Sequence, residues 1–385
     1  MKIFRKNSKF PIGIDISDYN LKLIQINSKG RDSLEIQAIS KVTLEKGLIN
    51  DGDIINKIKV LDALKTLLSK PLKGKVTSRE VVACLPETKT YLKLINVEKS
   101  PNELSQVIEA EMEKHIPFPI DEIYYDYQII SSDRNSFNVL IGACPKRFVN
   151  QYIDILKEAK LSIVGLEIEA IAISRSLIQE EVQKKKKKPQ KKNYLVIDMG
   201  AKRTSMFVYS QNTPLFTLNL PISGGAVTSK IANFLEIDDK QAEKAKIVCG
   251  MDKKKAKGII RNVLVDTLDE IVDKIEDAID YFKNHFPDRG EINQIIISGG
   301  GSSIKDLENY LQEATSIETI KGDSLINLNN SSPEMQSYFV ESYKLKNDFS
   351  IADKDSKSLT ITQDDRLAFS TAIGLGLRNV FNSKL

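Results

Sequence analysis

Two segments of the chain repeat one pattern: a hydrophobic strand, an aspartate at its end, a tight turn and a second strand. The first runs from Phe10 to Ile26 and the second from Lys192 to Tyr209. Short polar turns between strands leave backbone N–H groups pointing into the turn, where phosphate oxygens or a hydrated Mg²⁺ can meet them. The repeat therefore predicts two duplicated halves that hold a nucleotide between them.

A third turn is rich in glycine and leads from a predicted strand into a predicted helix. Ile295 to Ser303 reads IIISGGGSS, and the helical pattern IKDLENYLQEA follows. Glycine has no Cβ, so a base or ribose can lie against the backbone, and the helix N-terminus carries partial positive charge. Such a turn is also found where the chain simply reverses direction, so one turn alone does not indicate a nucleotide site. The order and spacing of all three turns is the feature that favours one.

Four further segments resemble the PilM family of type IV pilus assembly proteins, within the actin-like ATPase superfamily of actin, sugar kinases and FtsA. They are Leu44–Asn56, Glu109–Ile130, Ile222–Lys246 and Ala368–Arg378. The resemblance follows the order of the chain and weakens only across Asn327–Asp365. It implies an α/β, actin-like (ribonuclease H-like) fold with two duplicated halves and an inserted αβ subdomain, as in FtsA and PilM.

The domain boundaries are predicted from composition, from the periodicity of apolar residues and from this resemblance. We expect a first actin-like subdomain at residues 1–76 and 163–188, and an inserted, partner-binding αβ subdomain at 77–162. We expect a second actin-like subdomain at 189–223 and 290–385, and a helical subdomain beside the nucleotide at 224–289.

The resemblance also implies which residues contact ATP and Mg²⁺. In the family, the helix that holds Glu243 and Lys246 lies beside the nucleoside, although such a pair is also a common surface ion pair. The expected nucleotide-binding residues are Asp15, Ser17, Asp18, Lys22, Asp198, Gly200, Ala201, Thr204, Gly224, Gly225, Glu243, Lys246, Gly299, Gly300 and Gly301.

The first phosphate loop departs from the family pattern. Where relatives place D-I-G-S-S or D-I-G-S-T, this chain has Asp15, Ile16, Ser17, Asp18 and Tyr19. A carboxylate at position 18 would repel phosphates unless Mg²⁺ or a nearby lysine offsets it, and serine at position 17 is strained if the turn needs a positive φ. We therefore expect ATP binding to be weakened or hydrolysis to be lost.

The second phosphate loop matches the family pattern D-x-G-A-x-x-T. Asp198 is the best candidate for a catalytic role, either holding Mg²⁺ through water or orienting attack on the γ-phosphate. Asp15 is the second expected Mg²⁺ contact, also through water. No catalytic base is assigned, so the chain is expected to be at most a weak ATPase.

The sequence HIPFP after a predicted helix is the expected partner-binding segment. Pro117 and Pro119 cannot continue the helix, and they bias the residues before them toward an extended conformation. Together with Ile116, Phe118 either lines a peptide-binding cleft or is a core anchor. In the PilM family the partner is the N-terminal cytoplasmic tail of PilN, an inner-membrane protein. The resemblance thus favours a nucleotide-gated scaffold over an active ATPase or sugar-type kinase, or an adaptor that has lost ATP binding.

Composition and charge limit the expected localisation of the protein and the kinds of metal and partner that it binds. The chain lacks an apolar run of the roughly 18 residues that span a bilayer and an apolar signal sequence, so we expect a cytoplasmic protein recruited to the inner face of the membrane. Three cysteines without CxxC spacing and two distant histidines favour neither disulfides nor zinc. Lysines at 184–188, 191 and 192 indicate a solvated linker or a membrane-attracted segment, and nucleic acid is not expected. Self-association is left open.

Overall fold

The computed structural model describes residues 10–28, 34–99, 104–179, 192–328 and 366–378. The chain divides into two compact units. Unit 1 comprises residues up to 180 and from 324 onward, and unit 2 comprises residues 181–323. The lysine run at 184–188 and 191, and most of the weakly matching region 327–365, lie outside the described residues.

Elements are numbered along the chain. The strands of unit 1 are β1 Ile12–Ile16, β2 Asn20–Ser28, β3 Leu34–Thr43, β4 Ile49–Asn50, β5 Asp53–Ile54, β6 Lys73–Gly74, β7 Glu80–Cys84, β8 Tyr91–Glu98, β9 Ile123–Ser132, β10 Ser136–Pro145 and β11 Ser162–Glu167. Its helices are α1 Lys57–Ser69, α2 Leu104–His115, α3 Lys146–Glu158, α4 Glu169–Leu177 and, in the C-terminal segment, α9 Ser370–Gly376.

The main sheet of unit 1 has the strand order β11-β7-β1-β2-β3-β6. β1, β2 and β3 are antiparallel, whereas β7 and β11 run parallel to β1. Ile12, Ile14 and Ile16 alternate along β1 onto one face of the sheet, where they pack with α1 and α3. The opposite face receives α9, which lies directly against Gly13. Both faces are therefore covered, which explains why β1 is buried at every residue.

The inserted subdomain is smaller than the sequence predicted. Its three antiparallel strands have the order β8-β10-β9, and α2 packs on them through Ile108 and Met112. The prediction began the insertion at residue 77 and ended it at 162. Instead, β7 pairs with β1 in the main sheet, and α3 packs in the main core through Tyr152. The insertion therefore occupies about 91–145.

Unit 2 repeats the topology of unit 1. Its strands are β12 Asn193–Met199, β13 Thr204–Ser210, β14 Thr213–Leu220, β15 Gln294–Ser298 and β16 Thr319–Lys321. They follow the order β16-β15-β12-β13-β14, with an antiparallel β12-β13-β14 meander and with β15 and β16 parallel to β12. The order matches β11-β7-β1-β2-β3, so the duplication predicted from the strand–turn–strand repeat is present.

The helices of unit 2 lie between β14 and β15 and after β15. They are α5 Gly224–Leu235, α6 Asp239–Val248, α7 Ile259–His285 and α8 Leu307–Thr315. Asp238 caps the start of α6 by accepting a hydrogen bond from the Gln241 N–H. Within the described ranges, no helix has the length and apolar character that crossing a membrane requires.

The C-terminal segment belongs to unit 1, not to the second half as predicted from the sequence. The prediction placed residues 290–385 together. The structure joins residues from 324 onward to unit 1, where Ile373 packs with β2 and β3. The physical reason is burial: α9 is buried along its whole length, and unit 1 supplies the apolar face that covers it.

Close packing of α9 on α4 gives a test of this assignment. A Cβ at Gly374 would lie 1.7 Å from the carbonyl oxygen of Ala172. Glycine to alanine inside a helix normally stabilises it, but here we expect Gly374→Ala to lower the free energy of unfolding by about 1–3 kcal/mol through overpacking. Urea denaturation measures this change in the free energy of unfolding. Gly300→Ala is the matched control, because nothing lies within 4 Å of its Cβ position. Equal midpoints for the two variants would contradict the packing.

Candidate functional site

Two turns of unit 2 meet because the strands before them are parallel neighbours. β12 ends at Met199 and β15 ends at Ser298, with Asp198 paired in register with Ser298. The carboxyl ends of parallel strands lie at the same edge of a sheet, and ligands of open α/β sheets bind outside those ends. The turn at residues 200–203 and the glycine turn at 299–301 are therefore side by side.

The three glycines of the second turn have different roles. Gly299 has φ 77°, and a Cβ there would lie 2.6 Å from the Met199 carbonyl oxygen. A Cβ on Gly301 would lie 2.6 Å from the Met199 Cβ. Both glycines are therefore required by contact with the protein itself. Gly300 is exposed, with nothing within 4 Å of its Cβ position, so it is the glycine that a ligand can approach.

The first turn of α5 is fastened to the 200–203 turn. The N–H of Gly224 donates to the Gly200 carbonyl and the N–H of Gly225 donates to the Ala201 carbonyl, both at 3.0 Å. The Ser223 hydroxyl caps the next N–H of the helix at 3.0 Å. The expectation that Gly224 and Gly225 contact the nucleotide therefore changes in detail: their N–H groups hold the neighbouring turn in place.

Lys246 is a buried junction between α5 and α6. Its ammonium donates to the Gly224 carbonyl at 3.1 Å, to the Thr228 hydroxyl at 2.8 Å and to the Glu243 carboxylate at 2.5 Å. An ammonium has three N–H donors, so all of them are used. The Lys246 side chain is 3% exposed and that of Glu243 is 44% exposed. Of the predicted pair, Glu243 is the residue that a ligand can reach.

A few hydrogen-bonding groups of these turns are left for a ligand. Among the described residues, the backbone N–H groups of Ala201, Gly300 and Gly301 have no protein acceptor. Thr204 is fully buried, and its hydroxyl has no hydrogen-bond partner within the same ranges. Backbone N–H groups that converge in a concave turn are suited to phosphate oxygens. The donor set in unit 2 therefore fits a phosphorylated ligand.

The first loop of unit 1 is satisfied by its own residues. Asp15, 5% exposed, accepts a hydrogen bond from the Lys22 ammonium at 2.8 Å. The N–H and the hydroxyl of Ser17 both donate to the Asn20 carbonyl, at 3.0 and 2.9 Å, and Ser17 does not adopt a positive φ. The anticipated backbone strain at Ser17 is therefore absent, because this turn closes without a left-handed residue.

The two oxygens of Asp18 accept the backbone N–H groups of Asp51 and Gly52, at 2.8 and 3.0 Å. This contact was missed by reasoning from the sequence, because its partners lie 33 and 34 residues away. The only hint in the sequence is the dipeptide Asp-Gly at 51–52, which is typical of a tight hairpin turn. The carboxylate is thus already hydrogen-bonded within the protein.

The predicted partner-binding residues separate into core and surface. Ile116 is 6% exposed and packs in the core of the inserted subdomain. Its side chain therefore anchors the segment and is not presented to a partner. Phe118 is 41% exposed and Pro117 is exposed. The core-anchor role belongs to Ile116, and Phe118 is the accessible apolar side chain.

A family model described as type IV pilus assembly protein PilM matches residues 13–345 of this chain. Among solved structures, the PilM-PilN type IV pilus biogenesis complex is similar with a TM-score of 0.74 at 22% identity, covering 96% of this chain and 98% of that chain. The ethanolamine utilization protein EutJ from Carboxydothermus hydrogenoformans is similar with a TM-score of 0.50 at 13% identity, covering 83% and 88% of the two chains.

Curated relatives include two cell division proteins named FtsA. That of Borreliella burgdorferi is 21% identical over 320 residues, covering 78% of this chain and 66% of the relative. That of Buchnera aphidicola is 20% identical over 352 residues, covering 79% and 82%. The chain thus spans just under two thirds of the first relative's length. Both relatives fit the actin-like fold seen in the duplicated sheets.

The junction at Lys246 can be tested directly. We expect Lys246→Met to lower the free energy of unfolding by about 1–3 kcal/mol, because a buried carbonyl and a hydroxyl lose a charged partner. Amide hydrogen exchange should also quicken in the first turn of α5, which Lys246 holds through Gly224. Lys240→Met, an exposed lysine of the same helix, is the control. Matching unfolding curves for both variants would contradict the role of Lys246.

Proposed function

This chain belongs to the PilM family of type IV pilus assembly proteins, and from that premise we propose that it is a nucleotide-gated scaffold. It binds Mg·ATP and docks a cytoplasmic segment of a PilN-like inner-membrane protein. The observation that carries the proposal is the set of three backbone N–H groups, at Ala201, Gly300 and Gly301 on adjoining turns of unit 2, that have no acceptor in the part of the chain that the structure describes.

In this proposal the turns of unit 2 receive the phosphates. Ala201 and Gly300 are exposed, so their N–H groups are accessible to an anion. Glu243 accepts a hydrogen bond from a ribose hydroxyl, since its carboxylate is held by Lys246 and Thr228 but stays partly exposed. Lys246 itself acts indirectly, by fixing the Gly224 carbonyl.

Mg²⁺ would arrive with the nucleotide. Within the described ranges, no group of three His, Cys, Asp or Glu residues is placed to hold a metal ion. Mg²⁺ keeps several waters and is commonly bound by one or two carboxylates together with substrate phosphates. Asp198 is the proposed contact in unit 2, through water, and Asp15 of unit 1 stays an expectation from the family resemblance. ATP would supply the remaining oxygen ligands.

Slow turnover is expected from the first loop. The Ser17 hydroxyl and N–H are bonded to Asn20, and the Asp18 carboxylate is bonded to Asp51 and Gly52. Phosphoryl transfer needs groups that stabilise charge on the γ-phosphate in the transition state. Because this loop directs those groups at the protein, binding without rapid hydrolysis is the expected behaviour. A nucleotide-gated scaffold requires nucleotide binding but not rapid hydrolysis.

Calorimetric titration of Mg·ATP tests the nucleotide part. We expect saturable binding with little phosphate release. Asp198→Asn should weaken binding in Mg²⁺ by about tenfold or more, because a hydrogen bond to a charged group contributes about 1.5–3 kcal/mol, and should change binding in EDTA little. Asp239→Asn, on the exposed first turn of α6, is the control. Absence of binding by the unaltered chain would make it a nucleotide-independent adaptor.

The proposed partner surface is the segment after α2. Pro117 and Pro119 restrict the backbone, and Ile116 anchors it in the core of the inserted subdomain. Phe118 is thereby held in an exposed position with little conformational freedom to lose on binding. The solved PilM-PilN complex shows that a relative of this fold assembles with PilN. Recruitment to the inner face of the membrane would follow from such a contact.

Fluorescence anisotropy with a labelled peptide tests the docking. The peptide covers the N-terminal cytoplasmic residues of the PilN-family protein from the same organism. Phe118→Ala should weaken binding by about tenfold or more, because truncation of a central aromatic anchor typically costs about 2 kcal/mol. Phe234→Ala removes a phenyl ring that is 63% exposed in unit 2 and is the control. Absence of binding by the unaltered chain would contradict the docking proposal. An equal loss of affinity in Phe118→Ala and Phe234→Ala would contradict the assignment of docking to Phe118.

A further inference from the structure

The Asp18 carboxylate fills an anion-binding turn of its own protein. Residues 51 and 52 form the turn of the β4–β5 hairpin, and both adopt left-handed conformations, with φ 54° at Asp51 and 76° at Gly52. Two consecutive N–H groups in such a turn point to the same side and form a concave site for an anion. Asp18 occupies it, with one oxygen on each N–H.

Glycine at position 52 fits this arrangement closely. Its positive φ disfavours any residue with a side chain, and a Cβ would lie 2.3 Å from the Pro86 Cβ. The hairpin therefore lies close against the segment that leaves β7. Lys89, three residues further on, forms an ion pair with the Asp51 carboxylate at 2.5 Å. The turn at Asp51 and Gly52 is thus held by Asp18 through its backbone and by Lys89 through the Asp51 side chain.

The other side of the hairpin is bound to α3. The Gln151 amide donates to the Asp53 carboxylate at 2.9 Å and accepts from the Ile54 N–H at 3.3 Å. Arg147 forms an ion pair with Asp53 at 3.1 Å, although its side chain is 67% exposed and contributes little by itself. Gln151 therefore joins the hairpin to α3 through both the nitrogen and the oxygen of its side-chain amide.

These contacts lie at the two points where the chain enters and leaves the inserted subdomain. Lys89 is two residues before β8, the first strand of the insertion, and α3 begins directly after β10, its last strand. One hairpin therefore touches both connections, and Asp18 ties that hairpin to the first loop.

We propose that Asp18 is a positioning residue that links the first loop to both connections of the inserted subdomain through the 49–54 hairpin. The inference rests on the proposed nucleotide site and adds its coupling to the partner-binding subdomain. Asp18 lies in the first loop, which is a proposed contact of the nucleotide, and a ligand that binds one arrangement of a loop more tightly shifts the loop toward that arrangement. Nucleotide that binds the loop while Asp18 is held by the hairpin therefore disfavours release of the hairpin. By thermodynamic linkage, any contact that stabilises the closed hairpin raises the affinity for nucleotide by the same factor by which nucleotide stabilises the hairpin.

Hydrogen exchange at the hairpin amides tests the contact without nucleotide. In Asp18→Asn the side chain has one acceptor oxygen and no charge, so we expect the Asp51 and Gly52 amides to exchange about tenfold faster or more. Asp62→Asn, an exposed carboxylate of α1 paired with Lys65, is the matched control and should change nothing at the hairpin. Unchanged exchange at Asp51 and Gly52 in Asp18→Asn would overturn the proposal.

The same measurement with Mg·ATP tests the coupling. In the unaltered chain, exchange should slow both in the unit 2 turns and at Asp51 and Gly52. In Asp18→Asn the turns should still be protected, whereas the response at the hairpin should be lost. Gln151→Ala keeps the Asp18 contact, so its hairpin should still respond while the start of α3 no longer does.

The outcomes separate the two proposals. Protection of the turns at 200–203 and 299–301 without any hairpin response in the unaltered chain overturns the coupling and leaves the nucleotide proposal standing. Protection at neither place overturns both. A hairpin response that persists in Asp18→Asn assigns the link to another residue and removes Asp18 from this role. A purely structural role for Asp18 would change stability but not the nucleotide-dependent response.

Discussion

The candidate site depends on the close approach of backbone turns at the carboxyl ends of β12 and β15. Gly299 and Gly301 lie so near Met199 that a Cβ on either would meet it at 2.6 Å. This contact sets the distance between the two turns, and α5 closes the third side through its bonds to Gly200 and Ala201. The geometry of the remaining N–H donors follows from that packing.

Charged side chains in the site mainly hold the backbone in position. In unit 2, Lys246 is buried and uses its three donors on α5 and α6. In unit 1, Lys22 pairs with the buried Asp15. A buried charge is tolerated only when it is paired and hydrogen-bonded, so these contacts are requirements of folding as well as of the site. Among the residues that the structure describes in unit 2, the groups that remain for a ligand are backbone N–H groups and a partly exposed carboxylate.

The chain enters and leaves the inserted subdomain beside a single hairpin. The strands of the insertion and α2 have a core of their own, separate from the cluster that joins β1, α1 and α3. The hairpin at 49–54 contacts both connections, through Lys89 on the entering side and Gln151 on the leaving side. A change at the hairpin therefore reaches both connections at once.

Local sequence determined the features that depend on neighbouring residues. The two strand–turn–strand repeats, the glycine turn, the helix that starts at Asp239 and the duplicated topology all follow from alternation, turn chemistry and capping. The predicted site residues of unit 2 also come together, because two of their turns follow parallel neighbouring strands.

Only the tertiary structure decided which partners the polar and apolar groups find across long separations. Asp18 finds two N–H groups more than thirty residues away, β7 joins β1 instead of the insertion, and α9 returns to unit 1. Sequence patterns describe which face of an element is apolar but not which surface covers it, since burial is non-directional. For the same reason Ile116 and Phe118, two residues apart, could not be assigned to core and surface before the fold was known.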